Sequence, residues 1–564
     1  MADLVFEQVT SFARGMNDVA APTDYLPDEV RLLENGRPSF AGSAVERRAG
    51  TRNKHATGVN SGARCWGAWE HVHTDGARHW VGVFGTKVYR STDKGGTWTE
   101  VTATTAPTAG WWSAASMRTG SSNYLMLANG GSKLWYYDGS TTLGESDGPG
   151  TGVEFLAVFN DRLYAAGHDG VTVAASVVND PLDWSASAGA FTIRAQTHEG
   201  EPELRGLYAH AGALLVFKRK STNYVEGFGV RTIQVEAGPR GISRSVGCMG
   251  HRTIVAVGDQ AVMWLSERGF EYWTPGGGIT LVSRPMQNFI DELAWDAIAD
   301  DPLLPCAIYY ARRYEYWCAV PIVGASNTAI YVHRPPQSEG NVHRPPANYV
   351  VRRGDLVKGQ VGQIDADGYD AFGPRLDSPR TYTITGGYEE LNAVDDLSGV
   401  YAAISDDGYL ELANLVPIGQ VLFTGDTVTD IAVPHEGTND GFVAQMETGD
   451  KDGVNSDGTG GMAVKMRVRG RPFLHRDPLK RTWSRELRAT FAGRGTASVT
   501  TMNEADGVPT SKHTHDLKLM GPRQPQTVRV RTTGVGRTQA PVIETADAVQ
   551  LQALEIGVRP LRRV

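Results

Sequence analysis

The sequence predicts an all-β protein: a β-propeller with an N-terminal arm, a loop-rich insertion and a C-terminal β-sandwich. The composition supports strands joined by tight turns, because the chain holds 66 Gly, 13 Trp and 20 Tyr. Apolar-alternating segments are interrupted by Asn-Gly and Asp-Gly type pairs, the strongest local hairpin signal. At 564 residues, the chain is long enough for several domains.

Residues 1–60 form the predicted arm, since prolines and an Asn-Gly pair interrupt any regular period. The segment then carries a basic cluster of Arg47, Arg48, Arg52 and Lys54. An arm that is poor in its own core needs a surface to pack on. We therefore expect it to lie along a neighbour or to close a sheet.

Residues 61–335 contain the predicted propeller. Hairpins recur every ~30–55 residues, the spacing of irregular blades, and five or six blades fit this range. More blades are expected if later segments return to the ring, and a β-sandwich or a series of β-domains is the competing architecture. The predicted turns are Gly85, Asn129-Gly130-Gly131, Asn160-Asp161, Ala211-Gly212, Gly258-Asp259 and, further on, Asp406-Asp407-Gly408.

One helix interrupts the strands. Met286, Phe289, Ile290 and Leu293 form an apolar stripe at helical spacing. We expect a packing or interface helix whose Asp291 and Glu292 face solvent.

The remaining chain divides at residue 460. Residues 336–459 are rich in Pro, Gly and Asp, which predicts a loop-rich insertion that is either a tip or a blade returning to the ring. In residues 460–564, strands of period two predict a basic C-terminal β-sandwich: Val528 and Val530 alternate with Arg529 and Arg531.

Charge is distributed unevenly along the chain. Residues 461–564 hold 19 Lys and Arg against 8 Asp and Glu, whereas the rest holds 36 against 55, and the whole chain carries −8. An acidic body disfavours tight binding of nucleic acid over the whole surface. A basic C-terminal module suggests self-complementary docking between copies.

Neither a cofactor nor a metal site is predicted. Cys65, Cys248, Cys306 and Cys318 have no metal-type or pairing spacing and read as buried free thiols. Cys65 with His71, His73 and His79 is a weak zinc candidate, and residues 450–457 are an incomplete calcium loop. The N-terminal segment lacks a signal-peptide pattern, and no apolar run is long enough to span a membrane, so we expect synthesis in the cytoplasm without export or membrane insertion.

The most specific local motif comprises Ser91, Asp93, Gly95 and Trp98. It resembles the Asp-box, a turn found on blades of sialidase-like β-propellers. The resemblance implies that Asp93 binds backbone N–H groups of its own turn, that Gly95 permits the bend, and that Trp98 packs on the blade. A glycosidase would also need converging arginines and acids. With a single box found, no catalytic residues are predicted, and a sialidase-like glycosidase or lectin remains an alternative.

The order of segments resembles tail nozzle proteins, the β-propeller tail-tube subunits of short-tailed bacteriophages. Residues 12–51 are similar to their opening arm, with Asn35, Gly42, Arg47 or Arg48, and Gly50 in the matching positions. Similar segments are 255–277, 289–298, 307–321, 479–507 and 551–564.

This resemblance implies a structural virion protein without an active site, made in the host bacterial cytoplasm. It implies a homohexameric ring in the virion tail, attached below the portal–adaptor, with double-stranded DNA passing through the channel during ejection without sequence-specific binding. A phage receptor-binding or tail hub accessory protein is the alternative within the same class.

Overall fold

The structure is a computed structural model. It describes every residue outside 1–4, 10, 21–23, 40–43, 196–202, 227–239, 259–260, 323–324, 340–341, 353–355, 365–381, 386–399, 405–408, 415–420, 429–430, 439–440, 471–472, 475–481, 506–507, 537 and 561–564.

The described chain is mostly β, which confirms the predicted class. Its α-helices, Gln287–Asp291 and Trp295–Asp300, are short. Single 3-10 turns are described at Val59–Gly62, Ala186–Ala188, His251–Thr253, Arg284–Met286 and Ala311–Arg313.

Five four-stranded antiparallel sheets follow one another along the chain, each with its strands in sequence order. Sheet 1 contains Cys65–Val72, Arg78–Phe84, Lys87–Ser91 and Thr99–Ala103. Sheet 2 contains Ser113–Arg118, Asn123–Ala128, Leu134–Tyr137 and Thr142–Ser146. Sheet 3 contains Phe155–Phe159, Arg162–Ala166, Thr172–Ala175 and Phe191–Arg194. Sheet 4 contains Leu204–His210, Ala213–Lys218, Thr222–Val225 and Arg240–Ser243. Sheet 5 contains Val255–Val257, Ala261–Ser266, Gly269–Trp273 and Thr280–Leu281. A short parallel pairing between the last strands of sheets 1 and 2 joins these two into one eight-stranded sheet.

Two further sheets draw on distant parts of the chain. Sheet 6 begins with Cys306–Tyr310, Glu315–Ile322, Ala325–Arg334 and Ala347–Arg352. Sheet 7 consists of Val421–Val428, Ile431–Gly437 and Val443–Met446, and its fourth strand is Thr51–Asn53 from the arm. Residues within 336–459 therefore return to the body of the protein, and the arm completes their sheet.

The first strands of sheets 1 to 4 lie next to one another in order, and so do those of sheets 5 to 7. The first strand of sheet 4 contacts sheet 5 through the turn His251–Thr253, and the first strand of sheet 7 contacts those of both sheet 6 and sheet 1. The sequence of contacts thus returns to its start. Apolar side chains fill the spaces between neighbouring sheets, as where Val81 and Val83 of sheet 1 share a core cluster with Trp135 of sheet 2.

Beyond Ala347–Arg352, sheet 6 continues into a larger sheet shared by the arm and the C-terminal region. Its path runs through Leu32–Glu34, Met466–Arg469, Thr538–Thr545, Thr482–Ala505, Gln550–Pro560, Val45–Arg47 and Gly36–Pro38. Val5–Val9, Gly15–Met16, Glu29–Val30, Phe473–Leu474 and Val508–Gly536 pair alongside this path. The C-terminal strands and the arm thus form one hydrogen-bonded unit.

The other described strands form smaller sheets. They are Gln337–Glu339 with Val342–Arg344, Lys451–Asp452 with Met462–Ala463, and the set Leu356–Ile364, Tyr382–Thr385, Val400–Ile404 and Tyr409–Asn414. Residues 336–459 are therefore richer in strands than their composition suggests.

The predicted single helix is wrong. Two short helices stand in its place, because the backbone at Leu293 bridges to Ile322 and Ala294 N–H bonds the carbonyl of Pro321. Pairing with the neighbouring strand interrupts the helical hydrogen bonds. Glu292 forms an ion pair with Arg352 instead of pointing freely into solvent.

The predicted hairpin turns within the described residues are confirmed by their backbone angles. Positive φ values occur at Gly85 (63°), Gly130 (75°), Asn160 (48°), Gly212 (79°) and Gly258 (65°), as such turns require. The turn predicted at Asp406-Asp407-Gly408 lies outside the described residues, as do Asp259 and Gly42.

Candidate functional site

The four residues of the Asp-box lie together in the turn between the third and fourth strands of sheet 1. Asp93 Oδ1 accepts hydrogen bonds from Thr97 N–H at 2.9 Å and from the Ser91 hydroxyl at 2.7 Å. Its Oδ2 accepts from the Thr97 hydroxyl at 2.6 Å. Ser91 Oγ in turn accepts from Gly95 N–H at 2.8 Å.

These hydrogen bonds determine the charge state of Asp93. Burial would raise its pKa, but the bonds from Thr97 and Ser91 outweigh this and lower the pKa to about 2. The carboxylate is therefore ionised at neutral pH, and its oxygens are used within the turn. This arrangement stabilises the bend.

Gly95 and Trp98 connect this turn to the packed interior. Gly95 has a φ of +87°, and a Cβ placed there would lie 2.6 Å from the Trp80 ring. Trp98 packs edge-on against Phe84 with ring centroids 5.2 Å apart. Only glycine satisfies both the conformation and the close approach to Trp80.

The weak zinc candidate does not assemble. Cys65 is fully buried, with its sulfur directed at the carbonyl of Gly67, and burial raises its pKa to about 12. His71 packs against Tyr137, whereas His73 stacks on His79 with ring centroids 5.9 Å apart. In the part of the chain that the structure describes, no group of three or more His, Cys, Asp or Glu could hold a metal ion.

The acids of the incomplete calcium loop have protein partners. Arg48 Nη1 donates to Asp452 Oδ1 at 2.8 Å, and this pair is buried. The hydroxyl of Thr459 donates to Asp457 at 2.7 Å. The loop therefore anchors the arm through Asp452 and closes its own turn through Asp457.

A buried ionic network holds the arm, and sequence reasoning missed it. We call this network the arm clamp: Arg37, Glu46, Arg313, Glu315 and Glu447. Arg37 and Glu46 come from the arm. Arg313 ends the turn between the first two strands of sheet 6, Glu315 begins the second of these strands, and Glu447 follows the third strand of sheet 7.

Ion pairs and hydrogen bonds connect all five residues of the arm clamp. Arg37 Nη1 donates to Glu447, and its Nε donates to Glu46 at 3.1 Å. Arg313 bridges Glu46 at 3.1 Å and Glu315 at 3.4 Å. Burial would lower the pKa of Arg37, but the adjacent Glu447 raises it above its usual range.

Two aromatic side chains complete the hydrogen bonding of the clamp. The hydroxyl of Tyr349 donates to Glu315 Oε2 at 2.9 Å, and the indole N–H of Trp317 donates to the same oxygen at 3.0 Å. A charge as buried as that of Glu315 (2% exposed side chain) requires this many partners.

Asp18 supplies a further anchor of the arm. Its carboxylate accepts from Phe289 N–H at 3.0 Å and from Asn288 N–H at 3.2 Å, at the start of the helix Gln287–Asp291. The arm thereby caps a helix about 270 positions away in the sequence.

Acids and arginines also lie close together where the first strands of sheets 3 to 6 begin. We call this the ring-end cluster: Glu154, Arg205, Arg252 and Asp301. Burial, followed by the charge of Asp301, raises the pKa of Glu154, and burial also raises the pKa of Asp301.

The arginines of this cluster are bonded to the protein. Arg205 donates to the carbonyl of Ala299 at 2.8 Å and pairs with Glu203 at 2.6 Å. Arg252 donates to the carbonyl of Trp66 at 3.1 Å and lies over the Trp111 ring at 5.0 Å. Both guanidinium groups therefore have partners within the protein.

No protein-family model matches the chain, and no curated protein matches it. Solved structures give remote likenesses. The extracellular domain of a one-component system from B. thetaiotaomicron shares 9% identity over 71% of this chain and 40% of that one, with a TM-score of 0.39. The Mitotic Checkpoint Complex shares 12% over 61% of this chain and 87% of that one, with a TM-score of 0.29. The exo-β-1,3-galactanase from Phanerochaete chrysosporium shares 9% over 91% of this chain and 100% of that one, with a TM-score of 0.24.

This chain therefore spans less than half the length of the first of these structures. At such TM-scores the likenesses carry no argument about function. None of the helices in the described residues has the length and apolar character needed to cross a membrane.

Proposed function

We propose that the seven sheets are the blades of a β-propeller and that the chain is a structural subunit of a tail nozzle in a short-tailed bacteriophage. Four-stranded sheets that contact one another in a closed sequence are the arrangement that a propeller requires. The order of sequence segments supports the nozzle assignment.

The mechanical role is supported by the way in which the arm closes the ring of sheets. Thr51–Asn53 completes sheet 7, and the arm clamp joins the arm to sheets 6 and 7 through buried charges. Removing one member would leave another charge buried without its partner. A ring closed in this way resists opening, which suits a component that bears load during DNA ejection.

The nozzle is a homohexamer that attaches below the portal–adaptor in the virion tail. The acidic body repels the phosphates of double-stranded DNA, so DNA slides through the channel without sticking. A channel wall with net positive charge in an assembled ring would contradict this assignment of charge.

Electron microscopy of the purified full-length chain, alone and mixed with portal–adaptor complexes, tests the proposal. Six-fold rings, or a monomer that forms rings only on portal–adaptor complexes, support the nozzle. A trimer would instead indicate the receptor-binding alternative, and a chain that never joins the tail would overturn the proposal.

The ring-end cluster favours one second candidate, a propeller glycosidase or lectin. Two half-buried carboxyls with raised pKa values lie near arginines and tryptophans, a set of groups that glycan-binding sites use. Hydrolysis of a fluorogenic sialoside that Glu154→Gln abolishes, with folding unchanged, would support it. Absence of turnover, and of sialoside binding by calorimetry, would exclude a sialoside-directed activity.

A further inference from the structure

One strand of the C-terminal region forms an unusually long sheet edge. Val508–Gly536 is 29 residues long and pairs with Thr482–Ala505 in two runs, on either side of residues 522–525. On its other side, no strand among the described residues pairs with it. By contrast, Thr482–Ala505 is paired on both sides, because Gln550–Pro560 and Thr538–Thr545 share its second edge.

The length of this edge sets it apart from ordinary edges. At about 3.3 Å per residue the two runs, 508–521 and 526–536, extend for roughly 46 Å and 36 Å, whereas an average strand has about five or six residues. Along such an edge, main-chain N–H and C=O groups point outward and can pair with another chain. Pro509, Pro522 and Pro525 lack the donor, which leaves two runs free of proline, 510–521 and 526–536.

Within 514–519 and 525–530, the strand turns an apolar face inward. Leu519 and Val530 are buried, and Leu517 and Val528 pack against the main apolar core. The alternate side chains are exposed: Thr514, Asp516, Lys518, Thr527 and Arg529. Little conformational entropy would be lost when a partner binds a strand that is already ordered.

Charge indicates which partner fits. Residues 508–536 carry five Lys and Arg and one Asp, whereas residues 1–460 hold 55 Asp and Glu against 36 Lys and Arg. A basic edge complements an acidic surface, and the acidic body of a second copy provides one at equal concentration.

We propose that the free edge of Val508–Gly536 is the contact through which one copy of this chain docks on the acidic body of the next. The inference rests on the proposed function, because it names the surface by which subunits of the ring associate. Contacts of this kind join head to tail, the type of interface that closes into rings.

Charge reversal at two exposed positions tests the contact. Lys518→Glu together with Arg529→Glu should weaken self-association, or assembly on portal–adaptor complexes, by at least about tenfold, measured by mass photometry over a concentration series. The matched control is Arg118→Glu, which reverses an exposed charge on sheet 2 and should leave association unchanged. Thermal unfolding of each variant checks that the fold is retained.

Hydrogen exchange of the wild-type chain gives a second measurement that needs no variant. Backbone amides in 510–521 and 526–536 should exchange more slowly in the assembled state than in dilute monomer. Rings whose edge amides exchange at the monomer rate, or whose assembly the double variant leaves intact, would overturn the inference while leaving the nozzle proposal standing. A trimer with a protected edge would support the contact and contradict the nozzle, and a chain that never self-associates would overturn both.

Discussion

At the scale of single residues, the Asp-box turn shows how one carboxylate organises a bend. Asp93 is exposed, yet it accepts three hydrogen bonds from its own turn. Bonds to an ionised acceptor are stronger than those between neutral groups, so the turn gains stability although it is in contact with solvent. The contribution remains modest because water competes for the same oxygens.

Asp93→Asn should destabilise the protein by about 1 kcal/mol at pH 7, since the amide supplies one acceptor oxygen instead of two. The folded pKa is lowered to about 2, so the stabilising effect is complete above the ordinary carboxyl pKa of 3.8 and is lost as pH falls towards 2. Urea unfolding between pH 7 and pH 3 should therefore show the difference between wild type and variant shrinking at low pH. Asp161→Asn, in another exposed turn, is the control, and an equal effect there would contradict this role for Asp93.

Gly95→Ala and Gly76→Ala form a matched pair. Both glycines have a φ of +87°, but an added Cβ meets the Trp80 ring at Gly95 and no atom within 4 Å at Gly76. Both variants should pay about 1 kcal/mol for the left-handed conformation, and Gly95→Ala about 1–3 kcal/mol more for displacing Trp80. Thermal unfolding by circular dichroism measures the difference. Equal losses of stability in the two variants would show that the Trp80 ring moves aside without a cost in free energy.

Residues of this kind were predictable from the sequence because their partners are near in the chain. Ser91, Asp93 and Thr97 lie within one turn, so their spacing in the sequence determines which groups form hydrogen bonds. The φ values of Gly85 and Gly130 follow from local turn chemistry in the same way. Arg37 gave no comparable signal, because Glu447 lies 410 positions away.

At the scale of elements, the arm is held by strand pairing and hydrogen bonds to other parts of the chain. It contributes the fourth strand of sheet 7, several strands of the large sheet and the cap of the helix Gln287–Asp291. The sequence predicted a segment that must pack on something else. The sequence did not predict which sheets the arm joins, because the residue pattern of a short strand does not specify which strand pairs with it.

Arg37→Met should destabilise the protein by about 3–5 kcal/mol, since it leaves Glu447 buried without its arginine. Arg14→Met removes a partly exposed pair with Asp28 on the same arm and should cost less than about 1 kcal/mol. Chemical denaturation of both variants checks this.

The double variant Arg37→Met with Glu447→Leu distinguishes the cost of an unpaired buried charge from the loss of the ion pair itself. It should recover part of the loss, because it removes the unpaired charge together with its partner. No recovery would mean that the arm clamp acts through Glu46 and Arg313 instead.

The predicted single helix failed for a reason that belongs to this scale. The apolar stripe of Met286, Phe289, Ile290 and Leu293 is real, and all four side chains are buried. Strand pairing at Leu293 nevertheless competes successfully with helical hydrogen bonding. Tertiary contacts override local periodicity over segments this short.

At the scale of the whole molecule, buried histidines link stability to pH. Burial lowers the pKa of His71 and His333 to about 4 and that of His251 to about 3. Below about pH 6.5 these histidines bind protons in the unfolded chain but remain neutral in the folded chain. Each of these histidines should therefore reduce the free energy of unfolding by up to about 1.4 kcal/mol per pH unit as the pH falls from about 6.5 to 4.

His71→Phe should flatten that decline, because His71 packs against Tyr137 and its Nε2 is buried without a hydrogen-bond partner. Denaturation midpoints at pH 7.5 and pH 5 should differ less in the variant than in the wild type. His73→Phe, at a more exposed position, serves as control. A variant with the same pH dependence as wild type would show that His71 does not contribute to it.

The pairing of the first strand with the last has a consequence for biosynthesis. Val5 lies opposite Val558, and Val9 lies opposite Leu554. On a ribosome that adds about 5–20 residues per second, the first strand waits about half a minute or longer for its partner. Sheets 1 to 5 form from neighbouring hairpins during this interval, but the large sheet is completed only after Gln550–Pro560 has left the ribosome. Until then Val5–Val9 exposes main-chain N–H and C=O groups without their partner strand, and such exposed strand edges are what chaperones shield during synthesis.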